Sequence, residues 1–177
     1  MKTYKEGFTL IELLVVVLII GILSSIALVQ YSRVVERARI MAGFPAARAI
    51  IDAMDEYWLV NHKFTGNWSF LTLNLPPGAT DEEGTPLQSL PTSMDKYLYY
   101  DVGTSAKKHY RLQSNGRLQY VVHFEEPVYL YFYSRYAQSD AYKPLRGKIT
   151  CTYGSSKAEA RCKRLGATKL QRGTYIF

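Results

Sequence analysis

Residues that carry chemistry are scarce in this chain. Only two cysteines, Cys151 and Cys162, occur among 177 residues, and their spacing is neither C-x-x-C nor accompanied by suitable histidines, which argues against a thiol-redox pair or a zinc site. The three histidines, His62, His109 and His123, sit in unrelated contexts. No G-x-S-x-G, H-E-x-x-H or phosphate-loop pattern occurs, and Arg146-Gly147-Lys148 lacks the preceding glycine that a phosphate cradle needs. An enzyme is not indicated, and neither a cofactor nor a metal is required. The acidic trio Asp81, Glu82 and Glu83 has no further oxygen ligands spaced around it, so it reads as a solvated charge run rather than a calcium site. Acids are nearly missing from the C-terminal end: residues 143–177 hold nine Lys or Arg against Glu159 alone, a local charge of +8 in a chain of net charge +7. Long apolar runs are also lacking, with one exception.

That exception lies at the N-terminus. Residues 8–29 are apolar apart from Glu12 and a few small polar residues, and 22 residues of α-helix extend about 33 Å, enough to span a bilayer. The rest of the chain is too polar for a second span. An ionised carboxylate in hydrocarbon costs roughly 2.5–3.5 kcal/mol at a helix centre, so Glu12 needs either headgroup water, reached by snorkelling from near the segment's end, or a counter-charge. A cleavable secretory signal is the competing explanation, with Ser25-Ile26-Ala27 as a small-x-small cut site, but its apolar region would be too long and would carry an acid. Flanking charge does not orient the segment: Lys2 and Lys5 precede it, and Arg33, Arg37 and Arg39 follow.

The run Gly7-Phe8-Thr9-Leu10-Ile11-Glu12 closely resembles the processing site of type IV prepilins and the related pseudopilins. The resemblance implies that an inner-membrane prepilin peptidase cuts after Gly7 and methylates the new amino group of Phe8. It further implies that Glu12 pairs with the terminal amine of an adjacent subunit during assembly. The physics agrees, because a charge pair in low dielectric satisfies both ions only in the right geometry, so a mis-registered subunit would leave Glu12 unpaired. The expected organisation is a leader at residues 1–7, a transmembrane and assembly helix at 8–29, and a pilin head at 30–177 exposed to the periplasm or the exterior. Pilins of this type usually carry a proline where this chain has Val29, so melting of the helix there is less assured.

Beyond the anchor the pattern becomes one-sided: Val35, Ala38, Ala42, Ala46, Ala49, Ala53 and Tyr57 recur at helical spacing up to about His62, with charged residues between them. Pro45 predicts a bend or interruption after Met41, near Gly43-Phe44-Pro45. Residues 65–93 collect turn chemistry and read as a surface connection; Asn67-Trp68-Ser69 matches a glycosylation sequon too short to carry weight. Strands follow. Val128, Leu130 and Phe132 alternate with Tyr129, Tyr131 and Tyr133, further candidates lie at Tyr97-Leu98-Tyr99-Tyr100, at 109–112 and at 118–124, and Asn115-Gly116 signals a hairpin. The fold class is α+β: a long N-terminal helix, half transmembrane and half amphipathic, packed on a C-terminal antiparallel meander as in the pilin ladle. The fifteen tyrosines suit a sheet wet on one face or a subunit interface.

An even cysteine pair near the end of an exported chain resembles the C-terminal disulfide loop of type IV pilins, so Cys151 and Cys162 are expected to be bonded. Ser156-Lys157-Ala158-Glu159 reads as a capping box that opens a short helix, with Gly166 as its stop. The expected function is a structural subunit of a type IV pilus-like filament. Its partners are further copies in a helical homo-oligomer, the prepilin peptidase, the pilus assembly machinery and, before assembly, the inner membrane. Adhesion and twitching motility are the activities such filaments imply. The alternatives are a type II secretion pseudopilin, which usually has calcium-binding acidic C-terminal loops and no disulfide there, and an adhesive or DNA-uptake minor pilin, toward which the basic tail points by electrostatics alone.

Overall fold

The computed structural model describes residues 7–74, 79–80, 98–100, 108–171 and 174–177. The apolar run forms a single helix, α1 (Leu10–Met41), which passes through Gly21 and Val29 without a break, as expected where no proline removes a backbone donor. Ser25 Oγ donates to the Ile22 carbonyl at 2.7 Å and Ser32 Oγ to the Val29 carbonyl at 2.9 Å. These hydroxyls are satisfied inside the helix itself, as a lipid environment requires. Every side chain from residue 7 to 34 is exposed, and the helix is long and apolar enough to cross a membrane by length and composition. The chain divides into two compact units, Met1–Ala38 and Arg39–Phe177.

Within the second unit, α1 ends at Met41 and α2 (Phe44–Asn61) begins with Pro45 in its first turn, the interruption predicted from sequence. Proline suits that position because its missing N–H would be unpaired there anyway, while continuing the helix through it would set its ring against the Met41 carbonyl. Two sheet tyrosines bond carbonyls at the break: Tyr120 Oη donates to Ile40 O at 3.0 Å, and Tyr110 Oη donates at 2.9 Å to Gly43 O, which also accepts from the Ala47 amide at 3.0 Å. Their rings stack with centroids 4.9 Å apart, and both are fully buried. Burial pushes the Tyr120 hydroxyl well above the usual phenol range. These phenols therefore do not have the wetted hydroxyls expected from sequence. Gly43 is required by this approach, since a Cβ there would lie 2.2 Å from the Tyr120 hydroxyl oxygen.

The buried helical face is not the alanine stripe expected from sequence. The face on the sheet is Ile40, Ala47, Ile50, Ile51, Ala53 and Met54, whereas Ala38, Ala42 and Ala49 of the predicted stripe are exposed and Val35, Ala46 and Tyr57 are half-buried. The departure begins before the break, at Ala38 and Ala42, while Ala53 beyond it is buried as predicted. Burying each of the larger aliphatic side chains contributes roughly 1.5–3 kcal/mol, so the resulting face is the stronger one. Asp55, expected on the polar side, is buried too: its carboxylate accepts from Ser134 Oγ and from the Arg135 amide at 3.4 Å, and it forms an ion pair with Arg135 Nε at 3.4 Å. Burial nevertheless raises its carboxyl above the usual range.

The sheet is antiparallel throughout. Its strands are β1 (Ala79–Thr80), β2 (Leu98–Tyr100), β3 (Lys108–Gln113), β4 (Arg117–Val122), β5 (Val128–Tyr133), β6 (Ile149–Thr152), β7 (Thr168–Gln171) and β8 (Thr174–Ile176). Their order is β1-β2-β3-β4-β5-β6-β8-β7, a meander of six strands followed by a final hairpin that enters with its second strand. Leu118, Tyr120, Leu130 and Phe132 face α2, while Arg117, Gln119, Tyr129 and Tyr131 lie half-buried on the opposite face, so the predicted alternation holds in β5 up to Phe132, whereas Tyr133 and, in β4, Val121 are buried as well. The β3–β4 hairpin turns through Ser114-Asn115-Gly116, with Gly116 at φ +81°, a three-residue loop with glycine in the left-handed position.

The connection after α2 is not wholly superficial. Trp68, in a 3₁₀ turn (Trp68–Phe70), and Leu71 are buried in the core. Asn67 Oδ1 caps that turn by accepting from the Ser69 amide at 3.1 Å and its hydroxyl at 2.9 Å. The acidic trio at 81–83 and most of the turn-rich segment lie outside the described residues. Helix α3 (Ser156–Arg164) begins one residue earlier than predicted: Ser155, not Ser156, is the N-cap, accepting from the Ala158 amide at 3.2 Å. Gly166, at φ +97°, follows its C-terminus as expected.

Candidate functional site

Gly7 and Phe8 precede α1, and Phe8 is 80% exposed. Thr9 then acts as the N-cap: its carbonyl accepts from the Leu13 amide at 3.3 Å, the first intrahelical bond. Its hydroxyl accepts from the Glu12 amide at 3.3 Å and donates to Glu12 Oε2 at 2.6 Å. The Thr9 amide donates to the same oxygen at 2.8 Å. This is a capping box, in which an N-cap threonine and the acid three residues later satisfy each other's backbone donors. Thr-x-x-Glu is the sequence signal for this local role of Glu12.

The box satisfies hydrogen bonds without cancelling charge. Among the described residues no Lys or Arg forms an ion pair with Glu12, and only one of its two oxygens is engaged. The arrangement is an exposed, preorganised carboxylate whose second oxygen is open to a cation. Gly7, Phe8 and Glu12 thus lie within one turn of the helix start, with Thr9 as the residue added by the structure.

The remaining predicted pair lies in the second unit. Cys151 on β6 and Cys162 on α3 are both buried and form a disulfide, which fastens the helix to the sheet. The surrounding basic tail is partly compensated: Lys163 Nζ lies 2.9 Å from Glu159, Lys157 Nζ lies 3.6 Å from Glu125, and Arg161 donates to the Glu126 carbonyl at 2.8 Å. Among the described residues no cluster of three or more His, Cys, Asp or Glu is arranged to hold a metal ion.

Comparison with known proteins bears on the helix start. Residues 2–28 match the family model for the prokaryotic N-terminal methylation motif. The chain is 39% identical over 67 residues to a fimbrial protein of Neisseria meningitidis, covering 38% of this chain and 39% of that one. It is 36% identical over 77 residues to the type IV major pilin protein PilE1 of Neisseria gonorrhoeae, covering 44% and 47%. A type IV major fimbrial protein, FimA of Dichelobacter nodosus, is 52% identical over 40 residues, covering 23% and 26%. The chain thus spans less than half the length of each of these relatives. No solved structure matches. In its N-terminal segment the chain is similar to type IV pilins, and its fold is α+β with a long apolar helix followed by an antiparallel sheet.

Proposed function

We propose that the chain is a structural subunit of a type IV pilus-like filament that polymerises through α1. One observation carries this reading: the residues that match the methylation motif coincide with an exposed apolar helix whose first turn presents Glu12. Cleavage between Gly7 and Phe8 by a prepilin peptidase would leave the Thr9–Glu12 box intact and create an ammonium at Phe8, which is then methylated. The open oxygen of Glu12 would receive the Phe8 ammonium of a neighbouring subunit, while the exposed apolar surface of α1 packs against its copies. Before assembly the precursor spans the inner membrane once; afterwards the head faces the exterior of the filament.

The names of the relatives, fimbrial protein and type IV major pilin, support a pilus over a secretion pseudopilus. The disulfide at Cys151 and Cys162 points the same way, and so does the basic tail. The role is structural rather than catalytic. The test is Glu12→Ala: the protein is expected to remain in the membrane fraction while the yield of sheared filaments falls sharply. Unchanged piliation would remove the assembly role of the acid.

A further inference from the structure

The β5–β6 connection, residues 134–148, lies over the face of the sheet opposite α2 and closes a cleft of about 650 Å³, within the size range of small-ligand sites. Arg117 of β4 lines it. The guanidinium lies over the Tyr131 ring at 4.4 Å and within 5.2 Å of the Tyr142 ring, and its Nε donates to Gln113 Oε1 at 2.7 Å. Two rings and one amide therefore fix the stem and plane of this side chain. Among the described residues neither Arg117 nor Lys148, the second cation of the cleft, forms an ion pair, and the nearby Asp140 is held by Lys143 at 2.6 Å. A fixed guanidinium plane with its terminal nitrogens unpaired is suited to taking a carboxylate through two parallel bonds.

The rest of the lining narrows the ligand class. Thr152 and Thr174 supply hydroxyls from the sheet, and Pro144 and Leu145 of the 3₁₀ turn (Lys143–Leu145) supply apolar surface on the other wall. Hydroxyl partners, an apolar wall and one fixed cationic fork together match a sugar ring that carries an acid. A nucleic-acid track would need a row of cations along a groove. Of the other tail cations, Lys143, Lys157 and Lys163 are each paired with an acid, and Arg146 donates to the Ala137 carbonyl at 2.9 Å.

We propose that this cleft binds an acidic saccharide of one or two rings, with its carboxylate on Arg117 and Lys148 and its hydroxyls on Thr152 and Thr174. The proposal stands independently of whether the chain polymerises. The test is calorimetric titration of the detergent-solubilised full chain with glucuronate, glucose, inorganic phosphate and a short oligothymidylate. Glucuronate is expected to bind saturably and at least about tenfold more tightly than glucose or phosphate, the ratio that one retained charge-assisted contact supports. Arg117→Lys, which keeps the charge and loses the fork, is expected to weaken glucuronate by about tenfold, and Lys148→Gln by a smaller factor, with unchanged melting temperatures. Lys163→Gln, outside the cleft, is expected to leave binding unchanged. Equal binding of glucose, phosphate as tight as glucuronate, an oligonucleotide that binds more tightly through Arg117, or indifference to both cleft variants would each overturn the proposal.

Discussion

The Thr9 amide and the Thr9 hydroxyl converge on a single oxygen of Glu12, at 2.8 and 2.6 Å, and leave the other oxygen open. The acid therefore has two separable duties: closing the first turn of its own helix and offering charge outward. Thr9→Ala removes the cap while keeping the acid, at a helix cost of roughly 1 kcal/mol. Amide exchange in the first turn of α1, measured in detergent, is expected to accelerate in this variant and to return to normal in Thr9→Ser. Unchanged exchange in Thr9→Ala would mean that the capping box does not hold the turn.

The helix break near Gly43 depends on two phenols. Tyr120→Phe leaves the buried Ile40 carbonyl without its Tyr120 partner and is expected to cost about 1–3 kcal/mol, read from urea unfolding. Gly43→Ala forces a methyl into the Tyr120 hydroxyl and is expected to cost more. The double variant should not recover that loss, because the ring carbons Cζ and Cε2, which a Cβ at Gly43 would meet at 2.3 and 2.7 Å, remain in Phe.

The Cys151–Cys162 bond closes a loop with a sequence separation of 11. Replacing both cysteines by serine is expected to destabilise the head by about 3 kcal/mol on the chain-entropy model, and α3 is expected to lose protection before the β3–β5 ladder does. Equal loss of protection across α3 and those strands would argue against a local tether.

His109 on β3 lies with its ring nitrogen 2.7 Å from a ring nitrogen of His123. Burial, then the charges of His123 and Arg111, lowers its pKa to about 4. The fold thus favours the neutral ring, and unfolding takes up a proton at any pH between the ordinary value of 6.5 and about 4. This contribution to stability is complete above that window and is lost as pH falls through it. Melting temperature is expected to decline between about pH 7 and 4.5 more steeply in the wild type than in His109→Gln. Parallel curves would exclude the histidine as the source.

How much of this was legible from sequence varies with the strength of the local signal. The apolar run, the break at Pro45, the alternation of β5 and the β3–β4 turn each rest on a short-range rule, and each is found in place. The buried stripe differs from the alanine series because Ile40, Ala47, Ile50, Ile51 and Met54 share the same helical spacing on a neighbouring face, and the larger side chains take the sheet. Strands β1, β7 and β8 are two to four residues long and carry too few alternations to be recognised. Asp55 and Arg117 take their roles from partners far away in sequence, such as Ser134 and Tyr131. Of the candidate site, Gly7, Phe8 and Glu12 were visible as a motif, whereas the role of Thr9 emerged only with the helix start in view.

Mass analysis of sheared surface filaments tests the central claim most directly. A subunit that begins at N-methylated Phe8 and retains the Cys151–Cys162 bond is the predicted result. Filaments that lack this chain, or that contain it with Met1 intact or with a start near Leu28, would contradict the account.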